Sequence, residues 1–445
     1  MPETMKPDTM VLDTGEGQLR LILPAGFDVE VLQPKAMPAA ADALVEIQRA
    51  LTGPIGAPRL SRMARAGMKV ALIVCDDTRY APQKLIIPAI AAELQSAGVL
   101  RSDITIIIAC GTHEAMGKEA IVHMLGPEIP QAYRVVNHDA YDEAGLVRVG
   151  VSKGLGVPIV LNRMAVEADL RIGIGAVDPH IFAGYSGGAK ILSVGVAGRD
   201  TIAETHNPRV MEDPGTRYGV IEGNTFRAFL DEVASLVPLD FIVNVVQDTE
   251  KRLIRAFAGH ARDAWTPAVT LARELNEVEA EHEADIVVSV PKYPKSINLY
   301  QAIRAANPVV FGKPPLIKQD GVLIIPARCP RGVGSDEFEQ DMASAHDAAS
   351  IIEKGRAEGF GPEGNKSFTV AKVLSRCSVV FTDTDLPSGT LERMKLGWES
   401  DVSKALATAA FRVGASGVGG RGRIAVLPDG FSILPRLKRR DGTQE

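Results

Sequence analysis

The chain has 445 residues, of which 46% are hydrophobic and 23% charged, a composition typical of a soluble globular protein. This length exceeds what one ordinary hydrophobic core holds, so two or three domains are expected. The 49 Lys and Arg residues against 55 Asp and Glu give a net charge of −6, which argues against nucleic acid as the main partner. The sequence has no signal-peptide pattern and no apolar run of the ~20 residues that a membrane helix needs, so a cytoplasmic location is predicted.

The cysteines are widely separated, and each lies at or near the edge of an apolar run. They are Cys75, Cys110, Cys329 and Cys377, and no CxxC pair occurs. Such positions are typical of buried, reduced thiols, so a disulfide framework is not expected.

Short apolar runs rich in β-branched residues recur along the chain and predict strands buried on both faces, as in parallel sheets. The runs are 70–74, 104–109, 170–177, 241–246, 286–290, 322–326 and 378–382. Helical patterns lie between them. In 85–98, for example, apolar residues recur at helical spacing and Gly98 ends the pattern. The alternation of strand and helix indicates an α/β fold.

We therefore expect two α/β domains built on mostly parallel sheets with helices on both faces, and an active site in the interdomain cleft. A charged stretch around 270–283 divides an N-terminal domain, residues 1–278, from a C-terminal domain, residues 279–415. The tail, residues 416–445, lies beyond a glycine-rich stretch and is expected to return to the N-terminal domain.

Three of the predicted strands run directly into polar residues that can carry chemistry. The segments are DDTR at 76–79, GTH at 111–113 and DPH at 178–180. A single histidine after a strand is more often structural than catalytic. Parallel strands of one sheet, however, bring their carboxyl ends to the same edge, where α/β proteins bind ligands. The coincidence of three such segments therefore predicts a shared site.

The segment DPHIFAGYSGGAK, residues 178–190, places small residues between His180 and Lys190. Gly187 and Gly188 allow conformations closed to other residues, and the amides of such a loop, with the start of a following helix, can approach an anion. The spacing fits neither the GxxxxGK[ST] phosphate loop nor the GxGxxG dinucleotide motif. Lys190 would then either bind an anion through its charge or act as a nucleophile that attaches a cofactor covalently. The plainer interpretation is a surface turn with a solvated lysine.

Taken together, these motifs resemble those of the lactate racemase family, whose enzymes use a nickel-pincer nucleotide. The resemblance covers most of residues 60–310 in order and spacing, and the remainder more loosely. The motifs that carry it are DDTR at 76–79, GTH at 111–113, NHD at 137–139, PHIFAGYSGGAK at 179–190, THN at 205–207 and NLYQ at 298–301.

The resemblance implies an isomerase, a racemase or epimerase of lactate or a related small or longer 2-hydroxy acid. Its cofactor would be pyridinium-3-thioamide-5-thiocarboxylic acid mononucleotide carrying nickel, bound covalently at Lys190 through a thioamide. The reaction implied is reversible hydride transfer to this nickel-pincer nucleotide through a flat 2-keto acid. His113 and His180 would be the acid/base pair on opposite faces of the substrate, and neutral histidine suits both roles near neutral pH.

The same resemblance implies a role for several further residues around the cofactor. His206 would be the nickel ligand from the protein, the cofactor supplying the others, and an imidazole nitrogen suits nickel. Asp76 and Thr78, together with Gly187 and Gly188, would seat the cofactor.

The substrate side of the site would be formed by Arg79, Tyr300, Gln301 and Arg304. Arginine can bind a carboxylate through two parallel hydrogen bonds. Arg304 stands where well-known members of the family carry a lysine, so the substrate pocket differs and lactate itself is not implied.

Two other interpretations stay open at this point. A metal-dependent hydrolase or lyase would gather His113, His180 and His206 around zinc, although no closely spaced ligand set such as HExxH occurs. A non-catalytic nucleotide-binding protein would use only the glycine-rich cradle. The partners expected for the racemase are a small 2-hydroxy acid and the cofactor-biosynthesis enzymes, with no nucleic acid and no membrane, and a homo-oligomer is compatible with the sequence.

Overall fold

The computed structural model describes residues 9–77, 79–360, 364–415 and 421–438, and these form two compact units. The first unit comprises Ala36–Leu275. The second combines the N-terminal segment up to Lys35 with the chain from Asn276 onward. Each unit contains its own six-stranded sheet, so the predicted α/β class with mostly parallel sheets is confirmed.

The strands and helices alternate along much of the chain. The strands are β1 (Thr9–Asp13), β2 (Gln18–Ile22), β3 (Asp28–Val31), β4 (Val70–Cys75), β5 (Ile104–Ala109), β6 (Arg134–Asn137), β7 (Leu146–Val151), β8 (Pro158–Asn162), β9 (Leu170–Ala176), β10 (Pro179–His180), β11 (Gly184–Tyr185), β12 (Phe241–Gln247), β13 (Leu253–Gly259), β14 (Glu277–Ala280), β15 (Ala284–Ser289), β16 (Ile317–Pro326), β17 (Cys377–Thr382), β18 (Gly397–Trp398), β19 (Arg423–Leu427) and β20 (Leu434–Leu437).

The α-helices are α1 (Ala43–Thr52), α2 (Leu60–Met63), α3 (Gln83–Ser96), α4 (Lys118–Leu125), α5 (Glu128–Ala132), α6 (Arg163–Glu167), α7 (Lys190–Ser193), α8 (Arg199–Thr205), α9 (Pro208–Met211), α10 (Thr225–Leu236), α11 (Trp265–Asn276), α12 (Leu299–Ala302), α13 (Asn307–Val310), α14 (Asp336–Ser344), α15 (Ala348–Glu358), α16 (Gly364–Leu374), α17 (Ser388–Arg393) and α18 (Val402–Ala415). Short 3-10 helices occur at Arg101–Asp103, Glu143–Gly145 and Ile303–Ala306.

The sheet of the first unit has the strand order β13-β12-β9-β4-β5-β6. Its neighbours are parallel except β12 and β13, which are antiparallel. Side chains of β4 alternate between two hydrophobic clusters: Ile73 packs with α10 and α11 on one face, and Leu72 packs with α1 and α3 on the other. Burial on both faces explains why the strands read as continuous apolar runs.

The sheet of the second unit is parallel throughout, with the order β18-β17-β16-β15-β19-β3. The apolar runs at 286–290, 322–326 and 378–382 form β15, β16 and β17, as predicted. Two hydrophobic clusters again cover the two faces of the sheet, one around Leu323 and Phe381 and the other around Ile324 and Val426.

The placement of the chain ends differs from the expectation. The tail strand β19 pairs with β15 and β3 in the second sheet, and β20 pairs with β14. The described part of 416–445 therefore belongs to the second unit and does not return to the N-terminal domain; residues 416–420 and 439–445 lie outside the described residues. The physical reason is hydrophobic burial, because Ile424 and Val426 complete the core of the second sheet.

The boundary between the units also differs slightly, falling after Leu275 instead of after residue 278. The charged stretch around 270–283 is not one continuous element, because α11 ends at Asn276 and residues 277–280 form β14. A strand this short carries no periodic signal that distinguishes it from the end of a helix.

The described helices are too short or too polar to cross a membrane. Each of the four cysteines is buried and free, which confirms the prediction of reduced thiols. Burial raises the pKa of Cys75, Cys329 and Cys377 to about 12 and that of Cys110 to about 11.

Candidate active site

The three segments singled out by the sequence meet at one edge of the first sheet. Strand β4 lies directly between β5 and β9, and all three are parallel. Their carboxyl ends therefore bring together Asp76, Asp77 and Arg79 with the segments 111–113 and 178–180. The chain continues from β4 to β5 on one side and returns to β9 on the other, so this edge is the topological switch point where open α/β sheets bind ligands.

Asp76 and His113 form a direct pair at this edge. The Nδ1 atom of His113 lies 2.7 Å from Oδ2 of Asp76, and the Asp76 side chain is 7% exposed whereas that of His113 is 60% exposed. Because a carboxylate only accepts hydrogen bonds, Nδ1 carries the hydrogen. In the neutral ring, Nε2 of His113 is then left with a lone pair that can take a proton.

His180 is buried in the opposite tautomer. Its Nδ1 accepts hydrogen bonds from the backbone amides of Phe182 and Ala183, at 3.2 and 3.1 Å. The neutral ring therefore carries its hydrogen on Nε2 and acts as a donor there. The two histidines that the sequence proposed as an acid/base pair thus differ in protonation pattern, one an acceptor and the other a donor at Nε2.

His206 lies at the end of α8 with one ring nitrogen held by the backbone. Its Nδ1 donates to the carbonyl of Ile202 at 2.9 Å, so Nε2 keeps a lone pair. The rings of Phe182 and Phe226 pack edge-on against it, with centroids at 5.5 and 5.1 Å. The pKa of His206 is lowered to about 4, mainly by burial and to a smaller extent by the charge of Lys190. The hydrogen bond to Ile202 acts in the opposite direction. A neutral imidazole with a lone pair on Nε2 is suited to binding a metal.

Lys190 begins α7, and charged residues of both signs act on the protonation of its amine. Although the residue is partly exposed, burial lowers its pKa well below the ordinary value, and the positive charges of Arg79 and Arg227 act in the same direction. The charges of Asp76 and Cys75 oppose this effect. A lowered pKa increases the neutral fraction of a lysine amine, and the neutral amine is its nucleophilic form.

One amide of the glycine turn before Lys190, that of Gly188, is already used within the protein. The amide of Gly188 already donates to Oδ1 of Asn244 at 2.8 Å, and the following helix α7 is only one turn long. Gly187 and Gly188 are needed because a side chain at either position would collide with its neighbours. A Cβ at Gly187 would lie 2.7 Å from Oδ1 of Asn244, one at Gly188 would lie 3.0 Å from the Trp265 ring, and both backbones have positive φ.

Four side chains that the sequence analysis missed hold the turn before Lys190. They are Asn224, Arg227, Asn244 and Trp265, and their hydrogen bonds end on the backbone of residues 182–188. One signal was available in the sequence: Asn244 interrupts the apolar run FIVNVV, and a buried polar residue in such a strand needs a specific partner.

The other predicted site residues lie in the second unit or outside the described residues. Tyr300 is on α12 and packs edge-on against Phe338, with ring centroids 5.7 Å apart. Nη1 of Arg304 donates to Oε1 of Gln301 at 2.8 Å. Thr78 lies outside the described residues.

The histidines do not gather as ligands of one metal. Within the described ranges, no group of three or more His, Cys, Asp or Glu side chains is arranged to bind a metal ion. Nδ1 of His113 is also bound to Asp76 and Nδ1 of His180 to backbone amides. This arrangement does not support a zinc site built from the three histidines.

A mostly parallel α/β sheet with a carboxylate–histidine pair and a second histidine at its carboxyl edge is typical of an enzyme that acts on a small molecule. Comparison with known families agrees. Residues 14–219 match the lactate racemase N-terminal domain, and residues 278–434 match the lactate racemase C-terminal domain. The chain belongs to the lactate racemase family and is an isomerase of the racemase type.

Individual relatives span nearly the whole chain. This chain is 28% identical to the lactate racemase of Thermoanaerobacterium thermosaccharolyticum, and the match covers 88% of this chain and 90% of that protein. It is 27% identical to the lactate racemase of Lactiplantibacillus plantarum, with 87% of this chain and 90% of that protein covered. The structure of the T. thermosaccharolyticum lactate racemase apoprotein matches with a TM-score of 0.84, covering 96% of this chain and all of that one. A Thermotoga maritima protein, known from a crystal structure, shares the fold with a TM-score of 0.67 and 17% sequence identity. That match covers 91% of this chain and all of the other one.

Proposed function

We propose that the chain is a racemase or epimerase of a 2-hydroxy acid, with His113 and His180 as its acid/base residues. The observation that carries the proposal is the continuity of contacts and charges at one sheet edge. Asp76 binds His113 and also acts on the charge of Lys190, which in turn acts on His206. These links support a shared site for four groups with separate chemical tasks.

The proton chemistry follows from the two tautomers. His113, with Nδ1–H given to Asp76, accepts the hydroxyl proton of one enantiomer at Nε2, and the resulting imidazolium is stabilised by the Asp76 carboxylate. The two enantiomers present their hydroxyl groups to opposite sides, so a second base is required. We assign this role to His180. Its ring hydrogen must first shift from Nε2 to Nδ1, at the loss of the Phe182 and Ala183 amide hydrogen bonds, and Nε2 then takes the substrate proton.

The residues fit the nickel-pincer nucleotide of the family. Lys190 would hold it through its neutral amine, and His206 would ligate the nickel through Nε2, which the Ile202 hydrogen bond leaves available. When bound, the cofactor supplies reversible hydride acceptance, which avoids forming a carbanion beside a carboxylate. Asp76 is assigned to orienting His113 as well as to the cofactor, and Gly187 and Gly188 to the turn that presents Lys190.

The substrate carboxylate is assigned to arginine. Arg79 follows β4 on the same edge as His113, and a guanidinium binds a carboxylate through two hydrogen bonds. Tyr300, Gln301 and Arg304 are proposed to contact the remainder of the substrate. The Gln301 hydrogen bond fixes the plane of the Arg304 guanidinium, which a lysine at this position could not reproduce.

The test is a chiral assay of protein that has been co-produced with the cofactor-biosynthesis enzymes. Single enantiomers of lactate, malate, and aliphatic, aromatic and sugar 2-hydroxy acids are incubated and separated by chiral chromatography. We expect at least one acid to be interconverted, and intact-mass analysis to find an adduct that Lys190→Ala removes. Stoichiometric nickel should be lost in His206→Ala. Absence of an adduct together with absence of interconversion of every acid would refute the proposal.

A further inference from the structure

A lysine lies against one of the residues of the second unit that are proposed to contact the substrate. Lys366 is on α16, and its Nζ atom lies 4.3 Å from the centroid of the Tyr300 ring. This distance is within the range of a cation–π contact. No sequence motif singled out Lys366, because a lone lysine in a helix is most often a solvated surface residue.

Lys366 is buried, which is unusual for a lysine. Its residue is only 8% exposed. Lysine is among the residue types that are least often buried. Even a buried lysine with an ion-pair partner is often no more stabilising than an apolar side chain of similar volume. Packing alone therefore favours an apolar residue at this position, and the presence of a cation indicates a functional demand.

A second cation lies on the same stretch of chain as Tyr300. Arg304 is in the 3-10 helix that follows α12, and its guanidinium carbon lies 5.5 Å from the centroid of the Phe431 ring. Its Nη1 atom donates to the neutral amide oxygen of Gln301. Tyr300 and Phe431 both pack against the hydrophobic cluster around Phe381. Each of the two cations is thus placed over an aromatic ring that the core of the second unit supports.

The backbone that carries Tyr300 is fixed by several hydrogen bonds. The amide of Tyr300 donates to the carbonyl of Val333 at 2.9 Å, and Oδ1 of Asn298 accepts from the amide of Gln301 at 2.9 Å. The Tyr300 ring also packs edge-on against Phe338. The ring beneath the ammonium of Lys366 is therefore part of a pre-organised surface, as a specific binding site requires.

We propose that Lys366 is a specificity-determining residue: together with Arg304 it binds a second anionic group of the substrate, a carboxylate or a phosphate remote from the 2-hydroxy carboxylate. The proposal rests on the proposed function in one respect, namely that Tyr300, Gln301 and Arg304 contact the part of the substrate beyond the carboxylate assigned to Arg79. Two positive charges on that side form charge-assisted hydrogen bonds with an anion and disfavour an aliphatic or aromatic chain.

The experiment measures ligand binding by the full-length protein co-produced with the cofactor-biosynthesis enzymes. Isothermal titration calorimetry compares malate and 2-hydroxyglutarate, each with the derivative in which the carboxylate remote from the hydroxyl is an amide. The amide keeps the shape of the acid but lacks its second charge. 3-Phosphoglycerate and glycerate form a third pair, which distinguishes a phosphate from a carboxylate. Interconversion of the enantiomers of every acid, and of lactate, is followed in parallel by chiral chromatography.

The variants change the charge at position 366 or at a matched control position. Lys366→Met removes the charge at similar length, and Lys366→Arg keeps a positive charge. Lys366→Gln replaces Lys366→Met should the latter not fold. Lys354→Met removes the charge of an exposed lysine on α15 and is the matched control. Thermal unfolding is recorded for each variant.

We expect at least one doubly charged acid to bind about tenfold more tightly than its singly charged partner, as one charge-assisted hydrogen bond provides. Lys366→Met should weaken binding of that acid about tenfold and leave the singly charged partner within about twofold of its original Kd. Lys366→Arg should keep most of the preference, and Lys354→Met all of it. A purely structural role of Lys366 would weaken both members of a pair alike, and that result would overturn the proposal.

Two outcomes separate this proposal from the proposed function. A preference for a doubly charged acid that depends on Lys366, without interconversion of any acid, would refute the racemase activity and leave the anion site standing. Interconversion of lactate, with no preference within any of the three pairs, would overturn the inference and leave the racemase activity standing.

Discussion

Asp76 determines what His113 can do, because its carboxylate fixes which ring nitrogen carries the hydrogen. The resemblance to the family suggested Asp76 as a cofactor-seating residue, and nothing in the sequence paired it with a histidine 37 positions away. The pairing follows from the parallel register of β4 and β5, which sets Cys75 opposite Ala109 and so aligns the two segments that follow.

Replacement of Asp76 by Asn is expected to reduce kcat by about 10² to 10⁴-fold, because the amide can present its NH₂ to the ring and stabilise the unproductive tautomer. The measurement is steady-state racemisation by cofactor-loaded protein. Asp77→Asn is the matched control, since Asp77 is an exposed carboxylate in the same turn. Equal activity of the two variants would contradict the orienting role.

His138 provides a second prediction at the residue scale, for stability. It is 2% exposed, with Nε2 donating to the carbonyl of Ala197 at 2.8 Å and Nδ1 accepting from the side chain of Asn162 at 3.2 Å. Burial lowers the pKa of His138, against the opposing Ala197 hydrogen bond and the charge of Asp139. The folded protein therefore holds this ring neutral at a pH where an unfolded chain protonates it.

The pKa of His138 in the folded protein lies below the unfolded value of about 6.5. Its contribution to the free energy of unfolding is therefore complete above pH 6.5 and is lost as the pH falls towards the folded pKa. Urea unfolding at pH 7.5 and 5.5 should show a smaller pH-dependent loss in His138→Gln than in the unsubstituted protein. His123→Gln, at an exposed histidine, should keep the original dependence. An unchanged dependence in His138→Gln would contradict the account.

At the scale of elements, the short hairpin of β10 and β11 positions His180 through a close backbone contact. A Cβ at Gly184 would lie 2.1 Å from the carbonyl oxygen of Val220, and its φ is +71°. Gly156 has the same φ of +71° with nothing within 4 Å of its Cβ position. A comparison of alanine substitutions at the two glycines therefore distinguishes the cost of backbone strain from the cost of steric overlap.

Gly156→Ala is expected to lower the free energy of unfolding by about 1–2 kcal/mol, the cost of a left-handed alanine. Gly184→Ala should lower it further and reduce activity as well, because the hairpin must move. Chemical denaturation and the chiral assay provide the two measurements. Equal destabilisation by both substitutions would mean that the Val220 contact imposes no constraint.

The strands were largely predictable at this scale, and the short elements were not. The run at 104–109 coincides with β5, because burial on both faces gives an uninterrupted β-branched sequence. Helix α3 begins two residues before the predicted pattern, so Pro88 lies in its second turn. Strand β14 and the one-turn helix α7 have no periodicity to detect, since tertiary contacts determine them.

At the scale of the whole molecule, the sequence predicted two α/β units but placed the chain ends in the wrong one. Their strands β3 and β19 are adjacent and parallel, although about 390 residues separate them, and local patterns carry no information about such pairing. The roles of Arg227 and Trp265 were missed for a related reason. These side chains join α10 and α11 to a turn some 40 and 80 residues earlier.

The thiols provide a prediction for the whole molecule. Since each of the four is buried and burial raises their pKa values, the folded protein should react negligibly with an aromatic disulfide reagent at pH 8 within minutes. In denaturant, four equivalents should react at once. Rapid reaction of even one thiol in the folded protein would contradict the burial described.

The central claim is that His113 and His180 exchange protons with one bound 2-hydroxy acid. Its most direct test is racemisation by cofactor-loaded His113→Ala and His180→Ala, with the Lys190 adduct quantified in the same samples. We predict that each variant loses at least about 10²-fold in turnover while retaining its adduct. Normal turnover by either adduct-bearing variant would contradict the account.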